Sequence, residues 1–311
     1  MKTYEQLQQT IQKKVIGQDG VIELMTIALL NHGHVLLESV PGTGKTLLAK
    51  TFASALHMSF SRIQFTPDIL PSDVTGLRFF HPKHQEFQLE KGPVFTNVLL
   101  ADEINRATPK TQSSLLEVME ERQVTIDGET HLIDGPFIVI ATQNPVESQQ
   151  GTYALPAAQL DRFFLKIPMR YPDVEQERSI LHTHASPSTE EIEPVLTKEE
   201  IFSLQEQVAR ITVDQDVETY LLTLAQETRN HPLIEVGISP RGTLAWLRAA
   251  KGMAFLRERS YVHPSDLQDT APYVIAHRLL LSTEGYMTKG ADQILKDILQ
   301  EVPVPVEANE A

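Results

Sequence analysis

Short apolar runs alternate along the first half of the chain with stretches whose apolar residues recur at helical spacing. The runs are Val35-Leu36-Leu37, Ser61–Phe65, Val98–Ala101, Phe137–Thr142 and Phe163–Ile167, each of a length that suits a buried strand. Strands alternating with helices predict an α/β core built on a parallel sheet. Residues 1–31 read as helix, bend and helix, with the bend at Val15-Ile16-Gly17-Gln18. Two stretches break the alternation and read as hairpins. Residues 77–92 carry aromatics and histidines around Pro82-Lys83-His84. Residues 123–134 contain Asp127-Gly128, a dipeptide that suits a type I′ turn.

The pattern changes after Tyr171-Pro172 and becomes helical. Thr197 with Glu200 three residues on forms a capping box, and Ser239-Pro240 reads as an N-cap followed by Pro at the first helical position. Apolar positions in Leu244–Leu256 follow the 3.6-residue period. The boundary falls near 171–190, around Pro172 and the turn cluster Ser186-Pro187-Ser188. This divides the chain into an α/β core (1–175), a smaller all-helical domain (176–300) and a frayed acidic tail (301–311). A length of 311 residues agrees with about two domains.

Charge and composition narrow the function. Lys and Arg number 27 against 41 Asp and Glu, a net of −14, and residues 171–235 hold 14 acidic but only 4 basic groups. A broad nucleic-acid surface needs the opposite excess to displace counterions. No cysteine is present, which excludes disulfides, thiolate zinc sites and a cysteine nucleophile. No apolar stretch approaches the ~18–20 residues of a membrane span, and MKTYEQLQQT lacks the apolar core of a signal peptide. A cytoplasmic protein is expected. The 11 histidines are scattered; His182 and His184 lack further ligands nearby and read as solvated.

The strongest chemical signal is Pro41-Gly42-Thr43-Gly44-Lys45-Thr46, between a strand and a helix. Glycines let backbone N–H groups close around phosphate oxygens, and the helix N-terminus adds partial positive charge. Lys45 would reach the β- and γ-phosphates of a nucleotide, and the Thr46 hydroxyl would bind Mg²⁺. The whole loop, Val40 to Leu47, is the candidate nucleotide contact: Val40, Pro41, Gly42, Thr43, Gly44, Lys45, Thr46 and Leu47. The strict G-x-x-x-x-G-K-[ST] pattern would place Gly where Ser39 stands. Ser is small and that position does not need a positive φ, so the loop is expected intact. Asp102-Glu103 ends the apolar run Val98–Ala101. A strand adjacent to the P-loop strand would deliver both acids to the phosphates, Asp102 to hold Mg²⁺ through water and Glu103 to orient and polarise the attacking water.

Taken together these residues resemble the AAA+ ATPases, most closely their MoxR family. The likeness runs through Val15-Ile16-Gly17-Gln18, the P-loop, Phe65-Thr66-Pro67-Asp68 with Pro71-Ser72-Asp73, Gly92-Pro93-Val94-Phe95, and Ala101-Asp102-Glu103-Ile104-Asn105-Arg106-Ala107. It continues in Ala141-Thr142-Gln143-Asn144-Pro145, Gly151-Thr152-Tyr153, Leu160-Asp161-Arg162-Phe163 and Ser239-Pro240-Arg241. The resemblance implies a P-loop core with two β-hairpin inserts and a helical lid, ATP at their junction, and assembly into a homo-oligomeric ring, commonly a hexamer. It also implies chaperone-like ATPase work on protein clients, often with a partner carrying a von Willebrand factor A domain. Val15, Ile16 and Gly17 would wall the adenine, Asn144 would act as sensor 1, Arg241 as sensor 2, and Arg162 as an arginine finger toward the neighbouring subunit. Arg106 is either a second interface residue or a helix-start surface charge. For Arg162 the competing reading is an intrachain ion pair with Asp161 or another acid. The hairpin at 77–92 either packs its aromatics on the core or presents Lys83-His84-Gln85 to a client. Ala157 departs from the family pattern, which often has Glu there.

Three other readings are a nucleotide-dependent scaffold that does not turn over, a nucleic-acid motor, and an ATPase subunit of a metal chelatase. Intact Lys45, Asp102, Glu103 and Asn144 oppose the first. The acidic charge and the lack of a basic run in either hairpin oppose the second. Only the partners would discriminate the third.

Overall fold

The computed structural model describes residues 2–144, 152–185 and 192–305. Pro145 and Gly151, the turn cluster at 186–188 and the tail from 306 lie outside the described residues. In chain order the elements are α1 (Lys2–Gln12), α2 (Asp19–Leu30), β1 (Val35–Glu38), α3 (Lys45–Ala55), β2 (Phe60–Gln64), α4 (Pro71–Thr75), β3 (Gly76–His81), β4 (Glu86–Lys91), β5 (Val98–Asp102), α5 (Pro109–Glu121), β6 (Gln123–Ile126), β7 (Glu129–Leu132) and β8 (Ile138–Gln143). They continue with α6 (Ala157–Leu160), β9 (Leu165–Pro168), α7 (Val174–Ala185), α8 (Lys198–Ala209), α9 (Gln215–Asn230), β10 (Ile234–Val236), α10 (Pro240–Leu256), α11 (Pro264–Ile275), β11 (Leu280–Leu281), α12 (Thr283–Thr288) and α13 (Gly290–Glu301). Two compact units result. One comprises Lys2–Leu155 and Ile167–Phe202; the other takes Pro156–Lys166 and the chain from Ser203 onwards.

The first unit is built on a five-stranded sheet of order β2-β5-β8-β1-β9. The β2–β5, β5–β8 and β8–β1 ladders are parallel, with Ile63 opposite Ala101, Ala101 opposite Ala141, and Glu38 opposite Gln143. Every residue of β5 is buried, as its unbroken apolar run requires of a strand covered on both faces. The expected strands all form, within a residue or two of the apolar runs. One expectation is corrected: β5, which carries the acidic pair, is not next to the P-loop strand β1, because β8 lies between them. β5 and β8 are both short, mainly apolar central strands, and such runs carry no mark of their order. The chain leaves β5 through α5 and the β6–β7 hairpin before β8 fills the gap.

Both inserts are antiparallel hairpins, β3 with β4 and β6 with β7. Asp127 (φ 48) and Gly128 (φ 83) take the two left-handed positions that a type I′ turn requires. On the β3–β4 hairpin Phe80 and Phe87 meet edge to face at 5.5 Å and both stay exposed.

A buried histidine joins α5 to the sheet. His34 Nδ1 accepts the Val139 N–H at 2.9 Å and Nε2 donates to the Met119 carbonyl at 2.9 Å, which selects the neutral Nε2–H tautomer. Burial, then the charge of Arg122, pushes its pKa from 6.5 down to about 3. Between these values the unfolded chain takes a proton that the folded chain refuses. Stability from this group is therefore full above pH 6.5 and falls as pH drops, by up to ~1.4 kcal/mol per pH unit. A His34→Gln variant should be less stable at pH 8 yet lose stability less steeply between pH 6.5 and 4. Urea midpoints across that range would show it, and parallel profiles for the two proteins would refute the assignment.

The second unit is helical, with one short antiparallel ladder between β10 and β11 that no periodicity announced, because both strands are too short to carry one. Trp246 on α10 is fully buried and donates its indole N–H to the Leu267 carbonyl of α11 at 2.7 Å. The Ser239 hydroxyl accepts the Gly242 N–H and caps α10, with Pro240 at its first position. At the start of α8, in the part of the chain that belongs to the first unit, the capping box forms: the Thr197 N–H donates to Glu200 at 2.7 Å, and the Glu200 N–H to Thr197 at 3.3 Å.

Candidate nucleotide site

Three parallel strands end together at one edge of the first unit. β1 runs into the P-loop, β5 into Asp102-Glu103, and β8 into Gln143-Asn144. The Ser39 N–H donates to the Gln143 carbonyl at 3.1 Å, so the ladder ties the loop's first residue to the strand that carries Asn144. In open parallel sheets ligands bind outside the carboxyl ends of the strands.

The P-loop has the conformation that phosphate binding needs. Gly42 (φ 85) and Gly44 (φ 82) are left-handed, and a Cβ at either would meet nothing within 4 Å. Conformation, not packing, therefore requires glycine at both, and the space beside them is open. Among the described residues neither the Gly42 nor the Gly44 N–H finds an acceptor. The first hydrogen bond of α3 is Leu48 N–H to the Gly44 carbonyl, which leaves the N–H groups of Lys45, Thr46 and Leu47 at a helix start without helical partners. The Thr43 hydroxyl braces the turn on the Val40 carbonyl at 3.2 Å. Such a ring of unpaired N–H groups fits a phosphate anion. Ser39 does no damage: its φ is not positive, it is 2% exposed, and its hydroxyl finds no partner among the described residues.

The acidic pair sits in a network that the sequence did not announce. Asp102 is 6% exposed. Its Oδ1 accepts the Thr142 hydroxyl at 2.7 Å and its Oδ2 accepts Arg62 at 2.7 Å. Thr142 in turn accepts the Glu103 N–H at 2.9 Å. Glu103 is left-handed (φ 57, ψ 50), a state that costs a non-glycine residue about 1–2 kcal/mol. The Thr142 contact opposes that cost and holds the Glu103 backbone in this conformation. The Glu103 carboxylate accepts Arg106 Nε at 2.8 Å, so Arg106 is paired with the acid three residues before it. Thr142 was within reach of sequence reasoning, since in parallel register it lies beside Asp102. Arg62, the middle residue of β2, had no such signal.

Asn144 is buried at the end of β8. Val15 is buried where α1 ends, and Ile16 is half-buried. Gly17 is left-handed (φ 76), so its backbone conformation calls for glycine; the Gln176 side-chain amide lies against it. Arg162 and Arg241 belong to the second unit. Arg241 is exposed on the first turn of α10. The Asp161 carboxylate is held by Arg278 and Ser239, and the Arg162 side chain forms no ion pair with any described residue. Among the described residues no group of three or more His, Asp or Glu could hold a metal by itself. A hard cation at this edge would share its coordination with a nucleotide, with the Thr46 hydroxyl as a protein donor and Asp102, whose oxygens hold Thr142 and Arg62, acting through water.

Known proteins are similar in sequence and in fold. Residues 34–165 match the ATPase family associated with various cellular activities (AAA), and residues 226–298 match the AAA lid domain. A solved structure of a candidate ATPase from Cytophaga hutchinsonii superposes with a TM-score of 0.92 at 37% identity, covering 98% of this chain and 96% of that one. The uncharacterised protein YeaC of Bacillus subtilis is 46% identical over 299 residues, 96% of this chain and 93% of its own length. The chaperone MoxR1 of Mycobacterium tuberculosis is 41% identical over 305 residues, 95% of this chain and 80% of its own length. The chain belongs to the MoxR family of AAA+ ATPases. The α/β core and the helical lid expected of a MoxR protein are both present, and no helix among the described residues is long and apolar enough to cross a membrane.

Proposed function

We propose that this MoxR-family chain hydrolyses ATP with Mg²⁺ and uses the energy to remodel, assemble or mature protein partners, as a cytoplasmic homo-oligomeric ring, with six subunits the expected number. The observation that carries the reading is the shared strand edge, where an open glycine cradle, a fixed acidic pair and a buried amide meet. Gly42, Gly44 and the first turn of α3 bind the phosphates, and Lys45 adds a charge toward the β- and γ-oxygens. Thr46 and Asp102 hold Mg²⁺, which neutralises charge on the phosphates. Glu103 orients and polarises water, with its backbone fixed by Thr142, and Asn144 holds that water against the γ-phosphate. Val15, Ile16 and Gly17 contact the adenine. Arg241 senses the γ-phosphate. Arg162 acts on the nucleotide of the neighbouring subunit; the occupation of Asp161 by Arg278 supports this, because it removes the nearest competing ion pair.

The partner is a protein, with one carrying a von Willebrand factor A domain the expected type. A Glu103→Gln chain loaded with Mg·ATP should retain the partner from a lysate of its own cells, and the same chain loaded with ADP should release it. Identical captured proteins in both nucleotide states would argue against nucleotide-driven work on a partner.

A further inference from the structure

In the second unit an almost fully buried arginine spends its donors on one short turn. The Arg278 side chain is 3% exposed. Its Nε donates to Asp161 Oδ1 at 2.7 Å. Nη2 donates to the Phe163 carbonyl at 2.7 Å and the Asp161 carbonyl at 3.1 Å. Nη1 donates to the Phe164 carbonyl at 3.3 Å and to the Val274 carbonyl near the end of α11. Burying a cation costs several kcal/mol unless its donors are met, and here three carbonyls and a carboxylate of residues 161–164 meet them. The residue between these acceptors is Arg162. Its neighbours on both sides are held, while its own guanidinium, half-buried, pairs with no described acid.

The same cluster reaches the start of α10. The second Asp161 oxygen, Oδ2, accepts the Ser239 hydroxyl at 3.4 Å, and Ser239 caps the helix that carries Arg241 two residues later. Packing there is close: a Cβ on Gly242 would lie 3.0 Å from Arg278 Cδ. The turn bearing Arg162 and the helix start bearing Arg241 are thus fastened to one guanidinium and one carboxylate.

We propose that Arg278 is a positioning residue for Arg162, clamping the 161–164 turn to the start of α10 so that the Arg162 guanidinium is presented outward in a fixed pose and moves as one body with Arg241. The proposal rests on the reading of Arg162 as a residue that acts across subunits. A planar fork with five donors suits this clamp; a lysine, with a single charged nitrogen, cannot hold three carbonyls and a carboxylate at once.

Because the chain has no cysteine, Arg162→Cys accepts a single nitroxide label in the otherwise complete protein. The label should report slow, ordered motion, and adding Arg278→Lys should sharpen its spectrum. A label at Lys83→Cys on the β3–β4 hairpin of the first unit should not change. In ATPase assays Arg278→Lys should cost about 10²-fold in the unlabelled protein, the penalty of a misplaced transition-state group. In an Arg162→Ala background it should cost several-fold less, because the part of the loss that runs through Arg162 is already gone and only the part through Arg241 remains. Affinity for a fluorescent ADP analogue should be unchanged. An unchanged nitroxide spectrum, or an equal loss in both backgrounds, overturns the clamp. Full activity in Arg162→Ala alone would instead defeat the finger reading, and the nitroxide spectrum would then judge the clamp by itself. If Arg278→Lys does not fold, Asp161→Asn, which keeps the shape but weakens the charge pairing, carries the same comparisons.

Discussion

Glu103→Gln should bind Mg·ATP with near wild-type affinity and release phosphate about 10²–10⁴-fold more slowly, the span typical of a lost acid–base group. The amide keeps the side-chain length and the backbone N–H to Thr142. It removes the charge that polarises water, together with the partly exposed ion pair to Arg106. Lys45→Ala is the informative contrast. Its charge would meet phosphate oxygens in the ground state, and a hydrogen bond to a charged group is worth about 1.5–3 kcal/mol. Binding itself should therefore weaken by roughly 10- to 100-fold. Equilibrium titration with a fluorescent nucleotide separates the two defects from turnover. A Glu103→Gln protein that hydrolyses at the wild-type rate would take Glu103 out of the chemistry.

Arg162→Ala should cost about 10³–10⁵ in turnover, the range for a guanidinium supplied to a transferring phosphoryl group, and the loss should be repairable from outside the chain. Mixed with Glu103→Gln subunits, Arg162→Ala subunits should regain part of the activity. Some interfaces then pair an intact Glu103 with an intact Arg162. The restored rate should depend on the mixing ratio and vanish when either variant is in large excess. Mixed assemblies, verified by differential tags, that stay as inactive as either parent would place Arg162 in service of its own subunit.

How far these sites could be read from the sequence depended on whether the signal was local. The P-loop is contiguous, and its left-handed glycines are written into its composition. Ser39 was judged harmless because its position needs no positive φ, and its backbone bears that out. Asp102-Glu103 was recognisable from the buried strand before it. The strand order was not, since apolar runs in a central sheet look alike, and β8 had to be placed by packing. The contacts that fix the site join residues far apart in the chain. Thr142 meets Asp102 across 40 positions, and Arg278 meets Asp161 across 117. No spacing rule reaches that far. The Asp127-Gly128 turn and the Thr197–Glu200 and Ser239 caps formed as read because each is settled within four residues. β10 and β11, at three and two residues, were too short to register.

The central claim is that a Mg·ATPase site on each chain is completed by a neighbour. Specific activity measured against protein concentration, by steady phosphate release with Mg²⁺ and again with excess chelator, tests it most directly. The expected result is Mg²⁺-dependent release whose rate per chain rises with concentration and levels off as assembly completes, and which is abolished in Lys45→Ala. A rate per chain that is constant across the dilution series, or release at the level of the Lys45→Ala protein, would contradict it.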